Sequence, residues 1–246
     1  MPVILDPIAA YDQIGPVFAR VAERRKPYLN GIDDLVISGI PAGSRSMLDV
    51  GSGDGRRARR IARARNIAEL VLVEPSVAMQ GGNAANVRTI RAEELHSIEG
   101  EFHVVTCLWN VLGHVLPSAS RVEVLRQFAR LASPQGRIFV DVHHRYNLRH
   151  YGAIPTAIRF LHDHLSWSET NGDVGVDWDV EGVRCTTRGH VFTHREFRSL
   201  ARAAGLNIES QFVVDYATGE RRRWRFDGHL FYVLRATARR STQQTS

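Results

Sequence analysis

Gly51, Gly53 and Gly55 close the run Leu48-Asp49-Val50-Gly51-Ser52-Gly53-Asp54-Gly55, which stands between a β-rich segment and a helical one. Glycine takes positive φ at little steric cost and lets backbone approach a ligand, and the N-terminus of the helix that follows favours negative charge. The run reads as a cradle for a small cofactor. About 20 residues on, the next β-rich run ends in Glu74, whose carboxylate can accept hydrogen bonds from two ribose hydroxyls. Loop and acid together describe a nucleoside pocket at the carboxyl edge of a parallel sheet. A dinucleotide fingerprint, G-x-G-x-x-G, wants glycine at position 56, which holds Arg56. The spacing here is G-x-G-x-G, with Asp49 two residues before the first glycine. An acid there repels a pyrophosphate and suits a cofactor that carries an ammonium and a sulfonium.

At these residues the chain resembles the class I S-adenosylmethionine-dependent methyltransferases, whose first motif is an acid followed by G-x-G-x-G. The resemblance covers about residues 11 to 234 and rests on the loop, Glu74, the strand order and two terminal strands. It implies a doubly wound, Rossmann-like α/β sheet of seven strands, five parallel plus a terminal antiparallel pair. It also implies S-adenosyl-L-methionine as cofactor and S-adenosyl-L-homocysteine as product. Asp49, Gly51, Ser52, Gly53 and Gly55 would line the methionine end, and Glu74 would hold the ribose. Ala92 and Glu93 stand where members bind adenine, with Arg91 in place of the usual preceding aspartate. His103 likewise replaces an aspartate near the start of the fourth strand. Trp109 and Asn110 end that strand, where the family's backbone contacts the cofactor's amino group. Arg24, four residues before Tyr28, resembles an arginine that some small-molecule members place on the methionine carboxylate, and Arg25 is equally available.

Histidines supply the candidate bases. His114 follows the fourth strand and borders the pocket, either as a base or bonded to its own loop. After the fifth strand comes Asp141-Val142-His143-His144-Arg145-Tyr146-Asn147, at the edge where open α/β sheets bind ligands. Strand alternation sends His143 and His144 to opposite sides, so one should face the pocket. Near its ordinary pKa of about 6.5 it could take a proton at neutral pH. Tyr146 and Asn147 are the candidate substrate contacts. His150, His162 and His164 are irregularly spaced, and Cys107 and Cys185 fit no metal spacing, so no metal is expected and the thiols should stay reduced. Trp167, Trp178 and Trp224 read as packing residues. Arg56, Arg57, Arg59, Arg60, Arg63 and Arg65 fall mostly on the solvent face of a helix whose buried stripe is Ala58, Ile61 and Ala62.

The runs SMLDV, ELVLVEP, VRTI, FHVVTCLW and GRIFVDV, alternating with helical stretches, must position these groups as a parallel sheet covered on both faces. Ser120 with Glu123 and Thr193 with Glu196 are capping-box pairs. The first is followed by the apolar stripe Val122, Leu125, Phe128 and Leu131. The expected organisation is a helical lead-in over 1–45, a cofactor-binding core over 46–144 and an inserted lid over 145–192. The lid carries a hairpin of residues 174–180 and 183–192 about Glu181-Gly182. Residues 193–236 supply a helix and the last two core strands, and 237–246 a polar disordered tail.

The 246 residues, 43% apolar and 24% charged, have globular proportions. No run approaches the roughly 18 apolar residues of a membrane span, and the opening residues lack a signal-peptide pattern, so a cytoplasmic protein is expected. Net charge is +6. Lys26 is the one lysine beside a large excess of arginine, the skew a GC-rich genome imposes on every protein. The fourth strand ends Asn110-Val111-Leu112-Gly113, without the two prolines and aromatic of base-directed amino-methyltransferases. A small-molecule acceptor with an oxygen, nitrogen or carbon nucleophile is therefore expected. Two alternatives stand beside it: an RNA methyltransferase gripping phosphates through Arg221-Arg222-Arg223-Trp224-Arg225, and a non-catalytic nucleoside-binding protein whose hairpin holds another protein.

Overall fold

The β-rich runs lie side by side in one sheet of the computed structural model, which describes residues 4–81 and 87–237. The elements before the sheet's midpoint are β1 (Ile4–Leu5), α1 (Pro7–Arg24), α2 (Lys26–Gly39), β2 (Ser46–Val50), α3 (Arg56–Ala64), β3 (Glu69–Val73), α4 (Val77–Gln80), β4 (Val87–Arg88) and β5 (Phe102–Cys107). There follow α5 (Ser118–Leu131), β6 (Ala132–Val142), α6 (Leu148–Tyr151), α7 (Ala153–Leu165), β7 (Asp173–Val180), β8 (Val183–His190), α8 (His194–Ala203), β9 (Leu206–Val214), β10 (Arg221–Arg222) and β11 (His229–Ala236). The sheet runs β10-β9-β11-β6-β5-β2-β3-β4. β4, β3, β2, β5 and β6 are parallel, and β11 is antiparallel to both β6 and β9. The two-residue β10 adds an eighth strand at the edge. Strand order reverses between β2 and β5, and open α/β sheets form their ligand crevice at such a reversal, at the carboxyl ends of the strands.

Strand alternation divides the core into two layers. Leu48, Val50, Val105, Cys107, Ile138, Val140 and Val142 face one side, against α5 and α8. Met47, Val104, Phe139 and Phe231 face the other, with Tyr28, Ile32 and Val36 of α2 and Ala58 and Ile61 of α3. Asp49, Asp141 and His143 share the parity of this second set, so the pleat directs all three to the α2/α3 side.

Several local expectations meet a different outcome. α5 begins at Ser118 with Pro117 as its cap residue, so Ser120 lies inside the helix, and Glu123 accepts from Gln127 and Arg126 instead of capping. The Thr193/Glu196 capping box does form. The lead-in is two helices broken at Arg25, beside Pro27 in the first turn of α2. Its start is a strand: β1 pairs in parallel with β8, completing a three-stranded sheet with the β7–β8 hairpin. That hairpin turns through Glu181 and Gly182, both at positive φ, the two-residue geometry whose twist matches its strands. The expected tail lies, beyond Thr237, outside the described residues. Among the described residues no helix is long and apolar enough to cross a membrane.

Candidate functional site

A cavity of about 860 Å³ opens at the strand-order reversal. Its wall takes residues that follow four parallel strands directly: Gly51 after β2, Glu74 after β3, Leu108 to Asn110 after β5, and His143 after β6. Helices α1, α2 and α3 and Val176 and Trp178 of the hairpin close it.

The glycine loop is held by its own backbone, Gly51 and Ser52 N–H both donating to Val73 O at 2.8 and 3.0 Å. Its three glycines have φ of +75°, +54° and +70°, a region that costs any other residue about 1–2 kcal/mol. A side-chain carbon at Gly53 would meet nothing nearer than Met79 Cε at 3.8 Å, so the space before it belongs to the cavity. Glu74 is buried, and each carboxylate oxygen accepts one backbone N–H, Gly53 at 3.0 Å and Ser76 at 2.9 Å, leaving lone pairs for a ligand. Burial raises its pKa, against those two bonds. Ser52 Oγ is buried on this wall without a partner among the described residues. An open cradle, an unpartnered hydroxyl and a carboxylate with spare acceptor sites fit a nucleoside cofactor. Asp49 accepts from Thr106 Oγ1 at 2.5 Å, and burial pushes its pKa up to about 6.

Trp109 and Asn110 both sit at φ of +60°, unusual for residues with side chains. Asp141, fully buried, holds this corner: Oδ2 accepts from Trp109 N–H at 2.9 Å and Oδ1 from Tyr28 Oη at 2.6 Å. Burial raises Asp141 to about 6. Asn110 bridges onward, accepting from His143 N–H at 2.9 Å and donating to His190 O at 3.3 Å. Strained backbone over-determined by its surroundings is typical of functional corners.

The rest of the wall is aromatic. Tyr11 and Phe18 of α1 pack edge-on against Trp178, each with ring centroids 5.9 Å away, and Phe18 lies 5.2 Å from Trp109. His114 donates from Nδ1 to Arg188 O at 3.1 Å, which leaves Nε2 to accept from Tyr11 Oη at 2.9 Å. Its base nitrogen is thus already engaged. His143 stacks on His229 at 4.2 Å, and its buried Nε2 has no partner among the described residues. Burial, with His150, His114 and Arg25 adding to it, lowers His143 to about 3, far below the ordinary value assumed from sequence.

Of the residues singled out by sequence, Asp49, Gly51, Ser52, Gly53, Glu74, Trp109, Asn110, His114 and His143 line this one cavity. Others do not. Gly55 packs behind the loop, where a side chain would strike Leu72 at 2.5 Å. His144 points to the far side of the sheet against Phe226 and His194. Tyr146 donates to Asp163, and Asn147 caps α6. Ala92 is buried in the core and Glu93 exposed. Arg24 is exposed, whereas Arg25 lies over Tyr216 at 4.3 Å. Trp178 is a wall residue, and Trp167 and Trp224 are mostly exposed, so none of the three is simple core packing.

Arg57 is the cation that sequence reasoning missed. It lines the cavity, with Nε and Nη2 on Asp33 Oδ1 at 3.0 and 2.7 Å, and Arg60 joins the same carboxylate. The available signal was Asp33 itself, an acid inside the apolar stripe Leu29, Ile32 and Val36 of α2. A buried carboxylate demands a partner from the facing element, and α3 is that element.

A family profile described as a methyltransferase domain matches residues 21–211. No curated protein sequence matches the chain at a significant level. Among solved structures, the CcbJ methyltransferase from Streptomyces caelestis superposes with a TM-score of 0.62 at 19% identity, covering 85% of this chain and 90% of that one. The sugar N-methyltransferase KedS8 from a Streptoalloteichus species gives 0.60 at 15% identity, over 89% and 92%. A Haloferax volcanii methyltransferase solved with its Trm112 activator gives 0.64 at 16% identity, over 94% and 98%. These likenesses speak to the fold, and the profile, spanning most of the chain, speaks to descent. With the acid and glycine loop on β2, the carboxylate after β3 and the strained corner after β5 gathered round one cavity, the chain belongs to the methyltransferase-domain family and is an S-adenosylmethionine-dependent methyltransferase.

Proposed function

We propose that this enzyme methylates an oxygen, nitrogen or carbon nucleophile of a small molecule, working in the cytoplasm, where its two free cysteines stay reduced. One observation carries the reading: Tyr11, Phe18 and Trp178, from α1 and the inserted hairpin, wall the cavity with rings that touch one another. A closed aromatic wall suits a compact acceptor. Phosphate contacts need free cations, and part of the basic run after β9 is engaged within the chain: Arg222 pairs with Asp215 and Glu220, while Arg221 lies over Phe212 and Arg225 over Phe226. That engagement weighs against the RNA reading.

In this reading Glu74 takes the ribose hydroxyls, Gly53 leaves room for the cofactor, and Asp49 faces its positive charge. Arg57, whose Nη1 is not used by Asp33, takes the carboxylate in place of Arg24. Bound there, S-adenosylmethionine would supply an electrophilic methyl for in-line transfer to the acceptor, with S-adenosylhomocysteine as the leaving group. The chain's own part is mainly to position the reactants. His143, neutral at physiological pH because burial disfavours its charge, accepts a hydrogen bond from the nucleophile and holds it in line, the same burial opposing full proton transfer to the ring. His114 and Tyr11, bonded to each other, orient the acceptor.

Methyl-labelled S-adenosylmethionine, incubated with the enzyme and separately with fractionated metabolites and with total RNA, tests the reading. Label in a small-molecule fraction is the expected result. Label confined to RNA, with binding that weakens steeply as salt rises, would transfer the assignment to the nucleic-acid reading.

A further inference from the structure

Helix α7 turns an apolar seam to solvent. Ile154, Ile158, Leu161 and Leu165 succeed one another at spacings of four, three and four residues, the pattern of a helix–helix seam. They are 75, 63, 59 and 79% exposed, and Trp167, at 64%, follows just beyond the helix. The opposite face of the helix is fixed inward. Asp163 is buried and accepts from Arg145 at 2.6 and 2.7 Å and from Asn171 at 3.0 Å, while Arg159 lies over Tyr151 at 4.1 Å. The seam is therefore presented by an anchored helix.

We propose that this seam is a two-fold interface with a second copy of the chain, α7 packing antiparallel on α7. Its area is the first argument. At about 150–250 Å² for a large side chain, the five exposures leave on the order of 700 Å² uncovered. A standard interface takes ~800 Å² from each partner, and a monomer rarely leaves so much contiguous apolar surface bare. Self-complementarity is the second. A two-fold axis between Arg159 and Phe160 sets Ile154 opposite the second copy's Leu165, and Ile158 opposite its Leu161.

Other occupants fit less well. The chain beyond the described residues offers ARRSTQQTS at 238–246, GNAAN at 82–86 and three residues at the start, none of which could fill a four-residue apolar seam. A lipid surface would want free cations along the rim. Arg159 is stacked inward, and Arg149 pairs with Asp215 at 3.3 Å and Asp227 at 3.7 Å.

Light scattering on the full chain is the test. The wild type should give twice the 27.6 kDa of one chain. Ile158→Asp with Leu161→Asp should return the single-chain mass with S-adenosylmethionine affinity nearly unchanged, both sites being on the surface and away from the cavity. Ile158→Cys with Leu161→Cys should form a disulfide-linked dimer on oxidation, and Ile154→Cys with Ile158→Cys should not. A wild type that stays at the single-chain mass at about 100 μM, where an interface of this size would be filled, overturns the proposal. A dimer indifferent to the aspartates does so as well. A single-chain species that binds phosphatidylserine vesicles, and stops binding them with the aspartates, would hand the face to lipid.

Discussion

Gly51 and Gly53 share a sign of φ and little else. At Gly53 a side chain would enter the cavity, whereas at Gly51 its first carbon would come within 2.3 Å of Val111 Cγ2. Gly53→Val should weaken S-adenosylmethionine binding a hundredfold or more and lower stability only by the backbone cost of about 1–2 kcal/mol. Gly51→Val should add about 1–3 kcal/mol of overpacking to that cost. Calorimetry paired with thermal melts separates the two, and identical melting temperatures would refute the distinction. For His143, replacement by Ala should lower kcat by on the order of a hundredfold with cofactor affinity nearly unchanged. A folded-state pKa of about 3 keeps this ring unprotonated through the working range, so the wild-type rate should show no histidine inflection near pH 6.5. An inflection there that vanished in His143→Ala would contradict the buried geometry.

Helices and hairpins decide which residues meet. Asp33 ties α2 to α3 through Arg57 and Arg60, and it is fully buried while its partners are partly exposed. Asp33→Ala should therefore cost about 2–3 kcal/mol, below the full value of a wholly buried pair. It should weaken cofactor binding too, which urea unfolding and calorimetry on the same variant would report. The hairpin contributes Trp178 to the cavity wall. Trp178→Ala should raise the acceptor KM tenfold or more and spare cofactor affinity, and an unchanged KM would remove the hairpin from recognition. The glycine loop, Asp49 and Glu74 were legible in the sequence because local spacing alone places them at strand ends. Tyr146 and Asn147 misled, because a residue near a strand end can be drawn into its own loop, and Asp163, seventeen residues on, claims Tyr146. Arg57 stayed hidden because its partner lies on another helix, which no period within α3 reveals. Ser120 and Glu123 have the spacing of a capping box, but Pro117 starts the helix earlier and its fixed φ suits a helix entrance.

Across the whole molecule, buried histidines should govern the response to acid. His143 and His144 are lowered to about 3 and His194 to about 4, so below the unfolded value of 6.5 the unfolded chain binds more protons and stability falls with pH. Asp49 and Asp141, raised to about 6, act oppositely between there and 3.8, since the folded chain then holds the extra proton. The histidine shifts are larger and more numerous, so the melting temperature should drop from pH 6.5 to 4. His144→Leu, outside the cavity, should shallow that slope, and parallel slopes would count against the assignment. The short pairing of β1 with β8 has a different reach. Leu5 O accepts from Thr187 Oγ1 at 3.0 Å across 182 residues of sequence, and among the described residues Ile4 and Leu5 form the ladder. The hairpin that covers the cavity is thus tied down by β1 together with Tyr11, Phe18 and His114, and lifting it is a local unfolding event that must break these contacts as a set. Amide exchange at Thr186 and Thr187 would report that opening, and Leu5→Pro, by disturbing the β1–β8 pairing, should quicken it.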